Sequence, residues 1–256
     1  MRMIDAHIHL DHYKDDEIKL LLEESSMLDS FVSVSFDLES CKRNLQLARG
    51  YDRVRPAFGF HPEQPLPAEG ERKELFKWMD EHRSEMVAVG EVGLPYYLRL
   101  EGKISPQEYQ LYIELLDSFI QRAKEWEKPI VLHAVYDDAP VVCDLLEKYS
   151  LKKAHFHWFK GDKKTIARMR GNGYFISVTP DVVYEEEIQQ LVAVYPLEQM
   201  MIETDGPWPF EGPFTGKMTQ PNMMEESIRM IAGIKGLSVS EVTTKLYENT
   251  VSFYQL

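Results

Sequence analysis

The sequence predicts an α/β chain folded as a (β/α)8 barrel of the TIM type. Three observations predict it. Eight short apolar runs punctuate the chain, segments with helical periodicity lie between them, and 256 residues is the usual size of such a barrel. Alternation repeated eight times points to a closed barrel rather than an open parallel sheet.

The runs cover residues 3–10, 30–36, 54–61, 86–94, 129–134, 153–159, 174–179 and 200–205. Each is rich in Val, Ile, Phe or Met, as strands buried on both faces should be. The clearest helix between them spans 105–126, where Tyr109, Tyr112, Leu115, Leu116 and Phe119 recur at spacings of three and four. Ser105 supplies its cap, Pro106 suits its first position, and Glu108 completes a capping box. Ser238 and Glu241 mark the start of the last helix in the same way. No repeat, low-complexity tract or Pro/Gly-rich linker divides the chain, so residues 1–256 read as one domain. The Pro/Gly-rich stretch 206–216 follows a strand directly, and with 62–70 it reads as an active-site loop.

Composition narrows the function classes. A formal charge of −13 without any Lys/Arg-rich run argues against broad polynucleotide binding, which draws on a basic stripe. No apolar stretch approaches the length of a membrane span, and the N-terminus carries no leader pattern. The two cysteines, Cys41 and Cys143, match no zinc or redox motif, so a reducing cytoplasm is the expected setting. No obligate protein partner is indicated.

Six polar residues stand within or at the ends of the apolar runs. His7 and His9 are two apart and share a strand face, Glu91 lies in Val89-Gly90-Glu91-Val92-Gly93, and His133, His157 and Asp205 stand near later run ends. Taken singly, each has a plain structural reading: a core histidine, a backbone-bonded carboxylate, a helix cap. Taken together they are too many for unrelated explanations, because the C-terminal strand ends of a barrel meet at one mouth. Four imidazoles and two carboxylates gathered there call for cations. Two divalent ions roughly 3.5–4 Å apart would use all six and act jointly on a phosphoryl oxygen. Imidazole-rich coordination favours zinc or a neighbouring transition metal, with manganese, cobalt or magnesium as alternatives.

Five segments resemble, in order and over nearly the whole chain, the TatD family of metal-dependent hydrolases in the amidohydrolase superfamily. They are Asp5-Ala6-His7-Ile8-His9-Leu10, Gly59-Phe60-His61-Pro62, Gly90-Glu91-Val92-Gly93-Leu94, His157-Trp158-Phe159-Lys160-Gly161 and Glu203-Thr204-Asp205-Gly206-Pro207. The resemblance implies a barrel with His7, His9 and Asp205 on one ion, His133 and His157 on the other, and Glu91 bridging. It also implies phosphodiesterase, notably deoxyribonuclease, activity. Three places depart from the family pattern. Pro95 stands where an aspartate is usual, no arginine follows His133 by two residues, and the segments around Trp208-Pro209-Phe210 and Thr219-Gln220-Pro221-Asn222 only approximate it. A missing arginine removes a bidentate phosphate clamp.

The expected reaction is in-line hydrolysis of a phosphoester, from DNA ends or nucleotides, by water activated on two ions, with Asp205 taking the proton. His61 is expected to contact substrate and Glu203 to orient a ligand. His155, deeper in the barrel, reads as packing or support; Lys160 and Arg99 could supply positive charge to a phosphate but read first as solvated loop residues, and His12 and His82 as surface. Trp208 and Phe210 would stack on a base or pack against the rim. Competing readings keep the scaffold but hydrolyse or deaminate a carbonyl-type substrate, or leave a catalytically silent metal-binding barrel.

Overall fold

Each apolar run yields one strand. The computed structural model describes residues 2–24 and 27–256, and its strands are β1 (Met3–Ile8), β2 (Leu28–Ser33), β3 (Val54–Phe58), β4 (Ala88–Gly93), β5 (Ile130–His133), β6 (Ala154–Phe156), β7 (Phe175–Val178) and β8 (Met200–Ile202). All pair in parallel in sequence order. Most strands stop short of the runs that predict them. Val34, Ser35, Phe60, His61 and Glu203 to Asp205 stay buried after the ladder has ended. Burial is what an apolar run reports, and the chain remains buried as it turns into the mouth.

Among the described residues ten helices flank the strands: α1 (Asp15–Glu24), α2 (Leu38–Gly50), α3 (Glu69–Glu81), α4 (Tyr96–Leu100) and α5 (Pro106–Glu125) in the first half. The second half contributes α6 (Asp138–Lys148), α7 (Lys163–Asn172), α8 (Glu186–Val194), α9 (Met224–Lys235) and α10 (Val239–Tyr254). The expected capping boxes form at α5, between Ser105 and Glu108, and at α10, between Ser238 and Glu241. Along α5 the buried face is Tyr112, Leu115, Leu116 and Phe119. Tyr109 stays partly exposed as its hydroxyl reaches Asp138 at 2.7 Å.

Two features of the barrel aim the site. Its lower interior is plugged: Ile4, Ala6, Val32, Ala57, Ala88, Val131 and Met201 pack with Phe253 and Tyr254 of α10 in a cluster distinct from the main core. Polar side chains inside are thereby held towards the mouth. The ring closes between β1 and the segment after β8 without a regular ladder. Asp205 N–H donates to His7 C=O at 2.9 Å, and His9 N–H donates to Gly206 C=O at 2.8 Å. Buried Asp5 completes the seam, accepting from Thr204 N–H at 3.0 Å and Thr204 Oγ1 at 2.5 Å. Burial, partly offset by those bonds, raises its carboxyl pKa to about 7.

Candidate metal centre

The six expected residues converge, all of them buried. Glu91 stands at their centre on β4, and its two oxygens face different groups. Oε2 lies 3.2 Å from His7 Nε2 and 3.2 Å from His9 Nε2. Asp205 Oδ1 lies 3.2 Å from the same His7 nitrogen and 3.5 Å from the same His9 nitrogen. Oε1 instead lies 2.6 Å from His157 Nε2 and 3.0 Å from His133 Nδ1, which are 3.3 Å from each other. Glycine makes this approach possible. A Cβ on Gly93 would stand 1.9 Å from the His133 carbonyl oxygen, so β4 and β5 could not come this close with any other residue there. Asp205 and Trp158, which follow β8 and β6, hold left-handed backbone, φ 51° and 37°.

The donor set suits a divalent cation. His7, His9 and Glu91 bring ligand atoms within 4.8 Å of one another, as do His61, Glu91 and His133. Both nitrogens of His7 and of His9, with Glu91 Oε2 and Asp205 Oδ1, are buried without a hydrogen-bond partner, a costly arrangement unless something else satisfies them. The ionisation pattern agrees. Burial and His157 both work to strip the His7 proton, but Glu91 and Asp205 prevail and raise its pKa to about 9. Burial likewise opposes a charged His157, yet Glu91 and Glu203 hold it well above the ordinary imidazole range. Burial would protonate Glu91, but the surrounding histidines, His157 first, keep its carboxyl well below the usual range. The cluster therefore uses protons where a metal ion would supply charge.

Behind the six residues lies a buried relay. Glu203 accepts from Trp158 N–H at 2.8 Å and from the Ser177 hydroxyl, and its Oε1 lies 3.7 Å from His157 Nδ1. It thus flanks His157 rather than its sequence neighbour Asp205. Since Ser177 donates to a carboxylate, its oxygen accepts from His155 Nε2–H at 2.5 Å. That leaves His155 Nδ1 bare to accept the Tyr254 hydroxyl at 2.6 Å. Burial keeps His155 neutral, with its pKa lowered to about 3.

Above the six residues opens a cavity of about 430 Å³. His61 reaches it, with Nε2 3.5 Å from Glu91 Oε1 and its ring stacked on Phe36. Tyr97, Trp158, Trp208 and Val135 form much of its wall, and no Lys or Arg among the described residues lines it. Val135 occupies the position of the absent arginine. Arg99 does not act as a solvated loop residue: it sits on α4 and is held by buried Asp138 at 2.8 Å. Lys160 lies 3.9 Å from Asp181. The two rim aromatics divide, with Trp208 43% exposed at the cavity and Phe210 buried against Phe214 and Met223. His12 is exposed, whereas His82 is half-buried and stacked on Trp78. Sequence reasoning gave no role to Asp5, Glu63 or Tyr97. Asp5 left a usable signal, a carboxylate inside an apolar strand; Glu63, in a loop, and Tyr97, on the short helix α4, left none.

Residues 4–255 match the family model described as TatD related DNase. The chain is 39% identical to a Haemophilus influenzae protein named an uncharacterized metal-dependent hydrolase, over 99% of this chain and 100% of that one. It is 28% identical to the human protein named deoxyribonuclease TATDN3, over 98% and 94% of the respective chains. Among solved structures, the Escherichia coli TatD homolog YjjV superposes with a TM-score of 0.87 at 22% identity, over 100% of this chain and 98% of that one.

Proposed function

This chain belongs to the TatD-related DNase family and is a metal-dependent hydrolase, and from that premise we propose that it cleaves phosphodiesters of DNA ends or nucleotides on a two-ion centre. One observation carries the reading: the two oxygens of Glu91 address two separate sets of nitrogens. His7, His9 and Asp205 would hold one ion, His133 and His157 the other, with Glu91 between. Zinc suits the imidazole-rich set best, with manganese, cobalt or magnesium as alternatives. Ions bound there supply Lewis acidity, lowering the pKa of water and neutralising charge on phosphoryl oxygens.

The protein's own groups do the rest. Asp205 would ligate through Oδ1, which faces the His7 and His9 nitrogens, and accept the water proton through its other oxygen. His61 contacts the substrate from the cavity side, and Glu203 steadies His157 from behind. The aromatic wall of Tyr97, Trp158 and Trp208 suits a base or another flat group. Trp208 is exposed enough to stack on an incoming ring. The absence of a cationic side chain from the wall supports a second reading, a neutral carbonyl ester or amide. A substrate panel run with manganese, magnesium, cobalt and zinc separates the two.

The test is metal analysis paired with phosphodiesterase and nuclease assays on the wild type and Glu91→Ala. Both ions should be lost and activity should fall by on the order of 10³-fold or more. Activity confined to carbonyl substrates would overturn the phosphodiester assignment.

A further inference from the structure

Helix α4 begins without a capping side chain. Pro95 occupies the cap position and offers no hydrogen-bonding group, although the first N–H groups of any helix need acceptors. The acceptors come from a different loop. Glu63, two residues beyond His61, accepts from Tyr97 N–H through Oε1 and from Leu98 N–H through Oε2, both at 2.8 Å. These are the second and third helical positions, the ones a cap carboxylate serves.

The same Oε1 lies 3.4 Å from His133 Nε2. That nitrogen is buried and makes no hydrogen bond, and Glu63 is the carboxylate that stands beside it. The opposite nitrogen, Nδ1, faces Glu91 and His157. The Glu63 side chain is only 13% exposed, so its charge is poorly shared with solvent. One carboxylate thus meets a histidine of the centre on one side and the start of the Tyr97-bearing helix on the other.

Resting on the two-ion reading above, we infer that Glu63 is a positioning residue that ties His133 to the aromatic rim. By setting its charge beside Nε2 it favours the proton there, and with it the tautomer in which Nδ1 is bare towards the ion site. By capping α4 it holds Tyr97, whose ring centre is 6.1 Å from that of His133, against the cavity.

The two duties separate experimentally. Glu63→Gln keeps the length and removes the charge; Pro95→Asp gives α4 a cap of its own. Wild type, Glu63→Gln and the double variant are dialysed against Zn²⁺ to equilibrium, and KM and kcat are measured for a phosphodiester. The wild type should hold two ions tightly. Glu63→Gln should weaken one of them by about 10–100-fold, in keeping with loss of a carboxylate behind a ligating histidine, and should raise KM. The double variant should recover KM but leave the ion weak. Unchanged binding of both ions in Glu63→Gln overturns the inference, as does full recovery of the weak ion with Pro95→Asp, which would make Glu63 a helix cap alone. A wild type that holds fewer than two ions overturns the two-ion reading itself, and the inference falls with it.

Discussion

His155 and His157 stand two residues apart on or just past the same short strand, both buried, yet their surroundings give them opposite characters. His155 has a partner for each nitrogen, Tyr254 on one and Ser177 on the other, and burial drives its pKa down to about 3. His157 has no hydrogen-bond partner for Nδ1 and turns Nε2 to a carboxylate 2.6 Å away, and carboxylate charge prevails over burial to hold it well above the usual range. A histidine with both nitrogens satisfied belongs to the framework. A histidine with unmet nitrogens beside carboxylates has the chemistry a divalent cation would use.

Substitutions on the two sides test that contrast. The largest effect is expected at the mouth: His157→Ala should remove one ion and cost on the order of 10³-fold in turnover, with melting temperature little changed. Metal analysis and calorimetry on one sample check both halves. Asp205→Asn should cost about 10²–10³-fold in kcat while metal content stays nearly that of the wild type, since it removes the proton acceptor more than the ligand. Equal loss of both would reduce Asp205 to a ligand. On the inner side the pattern should invert. His155→Leu leaves the Tyr254 and Ser177 hydroxyls without their shared partner, and should cost about 2–3 kcal/mol of stability in denaturant titration with both ions retained. If that variant instead loses an ion and stays stable, the contrast fails.

The smallest effect is on pH. His7 keeps its proton up to about pH 9 in the metal-free cluster, and His157 is raised as well, both because Glu91 and its carboxylate neighbours outweigh burial. An ion needs those nitrogens bare, so uptake near neutral pH must displace protons, and affinity should rise as pH climbs towards about 9. Titration calorimetry in two buffers of different ionisation enthalpy should show proton release. No difference between the buffers would mean that the histidines are already unprotonated.

Much of this could be read from the sequence, and the failures have physical causes. All eight strands were legible because each is buried on both faces and interrupts helical periodicity. Their ends were not, since burial outlasts pairing at Val34, Phe60 and Thr204. The six residues of the centre were legible because charge inside an apolar run is conspicuous. Glu63 and Tyr97 were not: Glu63 sits in a loop, Tyr97 on a five-residue helix too short to show periodicity, and their contact spans 34 positions. Trp208 and Phe210 looked alike in sequence. Only the packing of Phe214 and Met223 decides which of them turns inward.

The most direct test of the account is a crystal grown with zinc and examined by anomalous scattering at the zinc edge. Two peaks are expected on either side of Glu91, one contacted by His7, His9 and Asp205 and the other by His133 and His157. A single peak, or ions seated away from Glu91, would contradict it.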